Sequence, residues 1–379
     1  MKTDVREKFR AIYDRYERTI ELHEISISVI GNYAKKYDYS ITKKIIEIIK
    51  KIDTKNGKLT ALDLSALAEN LDKHPQQELL FLKNTIVSIV SLMDNMFSLI
   101  FRYYYSKNPD KLSIDNKSIT YLELDQVEKI DDAKTYLLDK EIETILLNEG
   151  IRNRFKILKE EMGIILPNNQ EHLQELDKLI KTRNLIVHNS CNADQEYIKK
   201  YSTESLKKGN EIPLDREYVL NSLALAFYVG GFILQSTQIK YTDKKLNSSD
   251  FILNDLIHEL VKKEKYTYLK EIYNVSQELA LDDSTKKMIV INFCIGAKKQ
   301  KKSKEHIEKI LIKEDWSMAD DYISLCLYAL RDKHELFYSQ LKKLIKDKRI
   351  TGKKILEWQI FTLYRKKAKF REIIKKVIK

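Results

Sequence analysis

At 379 residues, 43% of them apolar and 33% charged, the chain is long enough for two or three domains with full cores and too apolar for a disordered one. Nine glycines and four prolines, the last at Pro213, argue against a sheet-rich or loop-rich protein and favour helix. The net charge of +12 lies wholly in residues 341–379, which carry 15 basic and 3 acidic side chains, while 1–250 and 251–340 each balance to zero. No apolar region follows MKTDVREKFR, so no signal peptide is expected. Cys191, Cys294 and Cys326 show no metal-ligand spacing and cannot all pair, which points to reduced thiols in a cytoplasmic protein.

In chain order, apolar spacing predicts a helix from Asp4 to about Lys36, with Phe9, Ile12, Tyr16, Ile20, Ile27 and Ile30 on its inner face. A second helix is expected over about Ser40–Ile52, a turn at Thr54–Gly57, and a third helix over about Thr60–Asp72. This N-terminal helical region, 1–74, carries no chemical motif and reads as a cap or a dimerisation element. Pro75 suits the first turn of the next helix, about Gln76–Ser106, in which Asp94 and Asn95 interrupt an apolar run. A loop over Lys107–Ser118, helices at about 119–148 and 150–163, and a loop at Pro167–Gln170 follow.

The stretch Glu171–Cys191, EHLQELDKLIKTRNLIVHNSC, carries the chemistry. Leu173, Leu176, Ile180 and Val187 make an apolar stripe, on which Arg183 stands where the pattern asks for Leu or Ile. Asn184 follows Ile180 by four residues, and His188 follows Asn184 by four. Burying such groups without partners costs a few kcal/mol, so the cluster needs a reason. It is either a structural network at a helix end or a site. Ala193–Ile212 is polar and reads partly as loop, and Asp215 is placed to cap a helix containing Tyr218–Gln235. That stretch has no charge and approaches the length of a membrane span. Asn221, Ser222, Gly230, Gly231 and Gln235 interrupt it, so a buried core helix is expected and no membrane.

Arg183, Asn184 and His188, with four residues between Arg and His, resemble the mark of the HEPN superfamily: Arg, a polar residue, then His after four to six positions. The resemblance covers roughly residues 78–240. It implies an all-α, HEPN-like helical bundle over 75–241 and a metal-independent endoribonuclease, of the kind found in toxins or anti-phage defence. RNA brings its own 2′-hydroxyl nucleophile. An imidazole can move the protons, and a guanidinium offers fixed donors to the phosphate. Five residues turn a helix by about 500°, so Arg183 and His188 point about 140° apart. The family joins two motifs across a dimer, and a homodimer is inferred here too. The resemblance also sets an acidic residue facing the pair, which Asp94 matches loosely; pairing of Asp94 with a structural cation is the alternative. Asn184 would orient His188 or Arg183, and Lys181 and Asn189 would touch substrate. A degenerate core that only binds RNA or docks a partner is the competing reading.

Thr242–Asp250, TDKKLNSSD, marks a boundary, with Asp250 placed to cap the next helix. Beyond it, over 250–379, a repeat with offsets of 32 and 34 residues starts at Cys294, Cys326 and Ile360, with an earlier copy led by Leu260. Each copy reads as an apolar helix, a basic turn and an amphipathic helix. The pattern is similar to tetratricopeptide-type hairpins, a possible dock for an antitoxin or sensor partner, with an irregular bundle as the alternative. In the tail, Lys353, Lys354, Arg365, Lys366, Lys367, Lys369 and Arg371 lie among Trp358, Phe361, Tyr364 and Phe370. That mixture suits RNA binding by phosphate contacts and base stacking, or else a solvated helix face. No phosphate loop, dinucleotide fingerprint or His-Glu-x-x-His occurs, and neither metal nor cofactor is expected.

Overall fold

Helix is the regular element throughout the described residues, and the β pairing among them is one antiparallel bridge, Asn192 with Glu211. The computed structural model describes residues 5–54, 61–111, 120, 130–148, 150–201, 206–242, 252–279 and 281–375, with side chains described outside 30–77, 130–132 and 147–148. The fold is all-α. The chain forms two compact units: a central one of 12–164 and 168–230, and a C-terminal one of 231–379 with 1–11 and 165–167.

The central unit contains most of α1 (Val5–Thr54), then α2 (Ala61–Lys107), α3 (Ile130–Asn148), α4 (Ile151–Lys156), α5 (Gln170–His188), α6 (Gln195–Tyr201) and the first part of α7 (Arg216–Tyr241). Two expected breaks are absent. α1 runs through residues 36–40, where no glycine or proline stops it, and α2 runs through Pro75, whose fixed φ is helix-compatible. Of the expected turn at 54–57 only Thr54 is described, as the end of α1; the rest of it, most of the loop at 107–118, the start of the helix at 119–148, and the boundary after Thr242 with the Asp250 cap lie outside the described residues. α2 packs against α3 and α5, and α4 packs against α5. Tyr16 of α1 is fully buried and donates its hydroxyl hydrogen to the Ala226 carbonyl of α7 at 2.9 Å. Asp215 does cap α7, accepting from the Tyr218 N–H at 2.7 Å. By length and composition two stretches could cross a membrane, Glu78–Lys107 and α7, but 89% of the α7 window is buried, the pattern of a core helix.

The C-terminal unit holds α8 (Ile252–Lys262), α9 (Leu269–Ser276), α10 (Asp283–Lys299), α11 (Lys304–Leu311), α12 (Asp321–Leu330), α13 (His334–Lys346), α14 (Gly352–Glu357), α15 (Gln359–Thr362) and α16 (Ala368–Ile374). The repeat positions Leu260, Cys294, Cys326 and Ile360 fall on α8, α10, α12 and α15. α8 packs on α10, α10 on α11 and α12, and α12 on α13. The turns share one geometry. After α8, α10 and α12 the residues Glu264, Lys301 and Asp332 take positive φ, and the next N–H donates to a carbonyl five residues back, at Leu260, Ala297 and Tyr328. That is the Schellman arrangement, here without glycine. All three cysteines are free and buried.

Candidate functional site

α5 starts on Asn169, whose side-chain carbonyl accepts from the N–H groups of Glu171 and His172. Its buried face is His172, Leu176, Leu179, Thr182 and Leu185. The expected stripe was rotated too far: Val187 is 51% exposed. The reason lies downstream. Leu185 forms a small core with Cys191, Ala193, Tyr197, Ile212 and Leu214, so Ala193, Tyr197, Ile212 and Leu214 cover the end of α5 and capture Leu185 instead of Val187. Thr182 extends that cover, within 3.2 Å of the Tyr218 hydroxyl oxygen and 3.5 Å of that of Tyr197. Burial pushes both tyrosines above the usual phenol range, which keeps this layer neutral.

Arg183 sits on the border of that face, 18% exposed. Its Nη2 donates to Asp94 Oδ2 at 2.6 Å. The other oxygen of Asp94 accepts from Arg154 Nη1, also at 2.6 Å. Arg154, on α4, is only 3% exposed; its Nη2 donates to the Leu146 carbonyl, and its guanidinium lies 5.5 Å from the Phe97 ring centroid. Two guanidiniums thus share one carboxylate, leaving one positive charge over in a half-buried place. The Nε of Arg183 is buried without a partner among the described residues and out of a ligand's reach; its Nη1 makes no hydrogen bond there, so that arm of the donor fork stays available. Arg154 was missed in the sequence. The signal was present, because Ile151, Phe155 and Leu158 are buried around it at helical spacing.

His188 is the last residue of α5; it is exposed and makes no hydrogen bond among the described residues. Asn184, one turn earlier and about 40° round the helix from His188, is half-buried and equally unbonded. Immediately after His188 the chain turns sharply. Asn189 closes the turn by donating Nδ2 to the Asn192 carbonyl at 2.8 Å. Ser190 and Cys191 then take φ of 51° and 68°, a left-handed pair without glycine. Such residues persist only where surrounding structure holds them. Here the Cys191 N–H donates to Leu185, the Ile212 N–H donates to Cys191, and the thiol is buried, which raises its pKa. The direction in which His188 leaves the helix is thereby fixed.

Lys181 is tied down: its ammonium donates to Glu196 at 2.5 Å and Asp194 at 3.0 Å. Burial alone would lower its pKa, but those carboxylates hold it above the usual lysine range. So Arg183 and Asp94 meet within one chain, Asn184 and His188 share a neighbouring face, and Asn189 and Lys181 serve the turn and a surface ion cluster.

In the tail, Lys353, Arg365, Lys366, Lys367, Lys369 and Arg371 are exposed and Lys354 half-buried. The aromatic half of that expectation needs correction. Phe361, Tyr364 and Phe370 are core residues, packed around Phe337 together with Tyr338, Leu341 and Leu344; Trp358 is the half-exposed one. Lys369 is paired with Glu335 at 2.7 Å and lies over Tyr338, and Lys354 lies 4.8 Å from the Tyr322 ring centroid. No cluster of three or more His, Cys, Asp or Glu suited to a metal ion occurs among the described residues. No protein-family model matches the chain, and no curated protein or solved structure matches it.

Proposed function

We propose that the chain is a metal-independent endoribonuclease of the HEPN type, acting as a homodimer in the cytoplasm in a toxin or anti-phage role. The observation that carries the reading is the surplus positive charge at Arg183, braced by Asp94 and Arg154, five residues before an exposed and unbonded His188 on the same helix. In the reaction the 2′-oxygen loses its proton to one imidazole and attacks phosphorus. The open guanidinium donors of Arg183 take the growing charge on the phosphoryl oxygens. The 5′-oxygen leaves with a proton from the second imidazole. The products are a 2′,3′-cyclic phosphate and a 5′-hydroxyl. Because Arg183 and His188 point about 140° apart on α5, one chain presents them on different faces, and two copies of α5 would bring an Arg and a His to one phosphate.

The competing reading is a helical scaffold that binds RNA or docks a partner without cutting. Asp94 favours it, since the carboxylate already occupies part of Arg183. Purified wild type, Arg183→Ala and His188→Ala, incubated with RNA in chelator, separate the two. The nuclease reading expects cyclic-phosphate ends from wild type alone, and partial recovery when the two variants are mixed. Equal behaviour of three folded proteins supports the scaffold.

A further inference from the structure

Within the C-terminal unit, α8, α10 and the junction of α14 with α15 line a cavity of about 240 Å³. That is roughly eight water volumes, the size of a small ring system. Its apolar lining is Ile291, Ile295 and Ile360, each nearly fully buried, beside the half-exposed indole of Trp358. The indole N–H of Trp358 has no partner among the described residues. Two amides face each other across α8 and α10: Asn292 Nδ2 donates to Asn254 Oδ1 at 2.9 Å. Asn292 is buried, so its amide needs partners. Whichever way the two amides are set, their single bond leaves an N–H₂ on one and a carbonyl on the other without a further partner among the described residues. Glu357 adds a carboxylate; Asp255 adds a second, whose Oδ2 is paired with Arg10 at 2.8 Å. In a chain of net charge +12, no lysine or arginine lines this cavity among the described residues.

These features select a ligand. The imidazole in the lining, His258, is engaged by Glu259 at 3.4 Å. The lack of a lining lysine or arginine and the presence of carboxylates disfavour phosphates and carboxylic acids. An apolar floor with an indole wall suits a flat ring. A spare amide donor beside a spare acceptor suits the edge of a base, as asparagine pairs with adenine. We propose that this cavity binds an amino-substituted nitrogen heterocycle of the nucleobase class, free or as a nucleoside, without phosphate. The ring lies between Trp358 and the isoleucines, and its exocyclic amine donates to the amide carbonyl or to Glu357. A ring nitrogen accepts from the spare amide N–H. The proposal stands whether or not the chain cuts RNA.

The chain has two tryptophans, so Trp316→Phe leaves Trp358 as the single fluorescent reporter. Adenine, adenosine and cytidine are titrated into that full-length variant, and the wild type is followed in parallel by calorimetry and thermal unfolding should the variant fold poorly. Expected are quenching of Trp358, a raised Tm, at least tenfold weaker binding of adenosine monophosphate, and about tenfold weaker adenine binding in Asn254→Ala and Glu357→Gln, the scale of one lost hydrogen bond. Silence of all three ligands at millimolar concentration overturns the proposal. So does a comparable response to cadaverine or glutarate, or undiminished adenine binding in both variants.

Discussion

Asp94 holds two arginines, Arg154 and Arg183, with one carboxylate. Removing it leaves Arg154, 3% exposed, and Arg183, 18% exposed, facing each other without a counter-charge. Breaking a buried pair this way costs about 3–5 kcal/mol. Asp94→Ala is therefore expected to lower stability by about that amount in urea unfolding at neutral pH. Arg154→Met leaves Asp94 paired with Arg183 and is expected to cost less; the reverse order would place the anchor elsewhere. A second residue-scale prediction concerns acid. Burial alone would raise the Glu259 pKa, but hydrogen bonds from His258 and Lys262 bring it down to about 2. A folded-state pKa below the unfolded one gives stability that is present above about pH 4.5 and is lost as pH falls towards 2. Glu259→Gln should thus be less stable than wild type at pH 7, with the gap closing in that acid window. At this scale the sequence was readable where a polar residue broke an apolar pattern, as at Asp94 and Arg183. The same rule applied to Arg154 was overlooked, and Val187 was misplaced because nothing local announces that Tyr197 and Ile212 pack on Leu185.

Helix ends and helix crossings, rather than the helices themselves, carry the specificity at the level of elements. Lys301 occupies the left-handed position of the turn after α10 at φ 58°, exposed, where a β-carbon costs about 1–2 kcal/mol. Glycine removes that cost but adds about 0.4–1 kcal/mol of unfolded-state entropy. Lys301→Gly is therefore expected to raise stability slightly, by about 0.5–1 kcal/mol and a small positive change in Tm. Gly230 is the opposite case. A β-carbon there would come within 2.6 Å of the Tyr16 ring, which is fully buried and fixed by its bond to Ala226. Gly230→Ala should destabilise by about 1–3 kcal/mol, the cost of overpacking, and Tyr16→Phe should not relieve it, since the ring is what obstructs. In the sequence Gly230 read as an interruption of an apolar run. The helix is not interrupted; the glycine admits another helix, and periodicity along one segment does not reveal what crosses it. The helical class and the repeat phase were legible because both are local.

The whole molecule concentrates its charge excess in 341–379, and there the cations lie on the outside while Phe361, Tyr364 and Phe370 are buried. Phe361, Tyr364 and Phe370 are spent on the core, so those three rings offer no base-stacking platform; Trp358 is half-exposed and lines the cavity of the C-terminal unit. What remains is a set of exposed cations able to meet phosphates. RNA bound at this surface is therefore expected to show little base preference and a strong dependence on salt. For single strands each phosphate contact contributes about 0.7 to the slope of log affinity against log salt. Lys353→Glu, Lys366→Glu and Arg371→Glu together, all at exposed positions, should reduce that slope by about 2. Unlabelled poly(U) and poly(A) should compete about equally. Filter binding of a labelled RNA at several salt concentrations reads both quantities. An unchanged slope would return these residues to a solvated helix face, and a large preference between the two polymers would mean that bases are being stacked somewhere other than on the buried rings. On the proposed nuclease reading, cleavage at saturating RNA should be unaffected by these three changes, which distinguishes lost binding from lost chemistry.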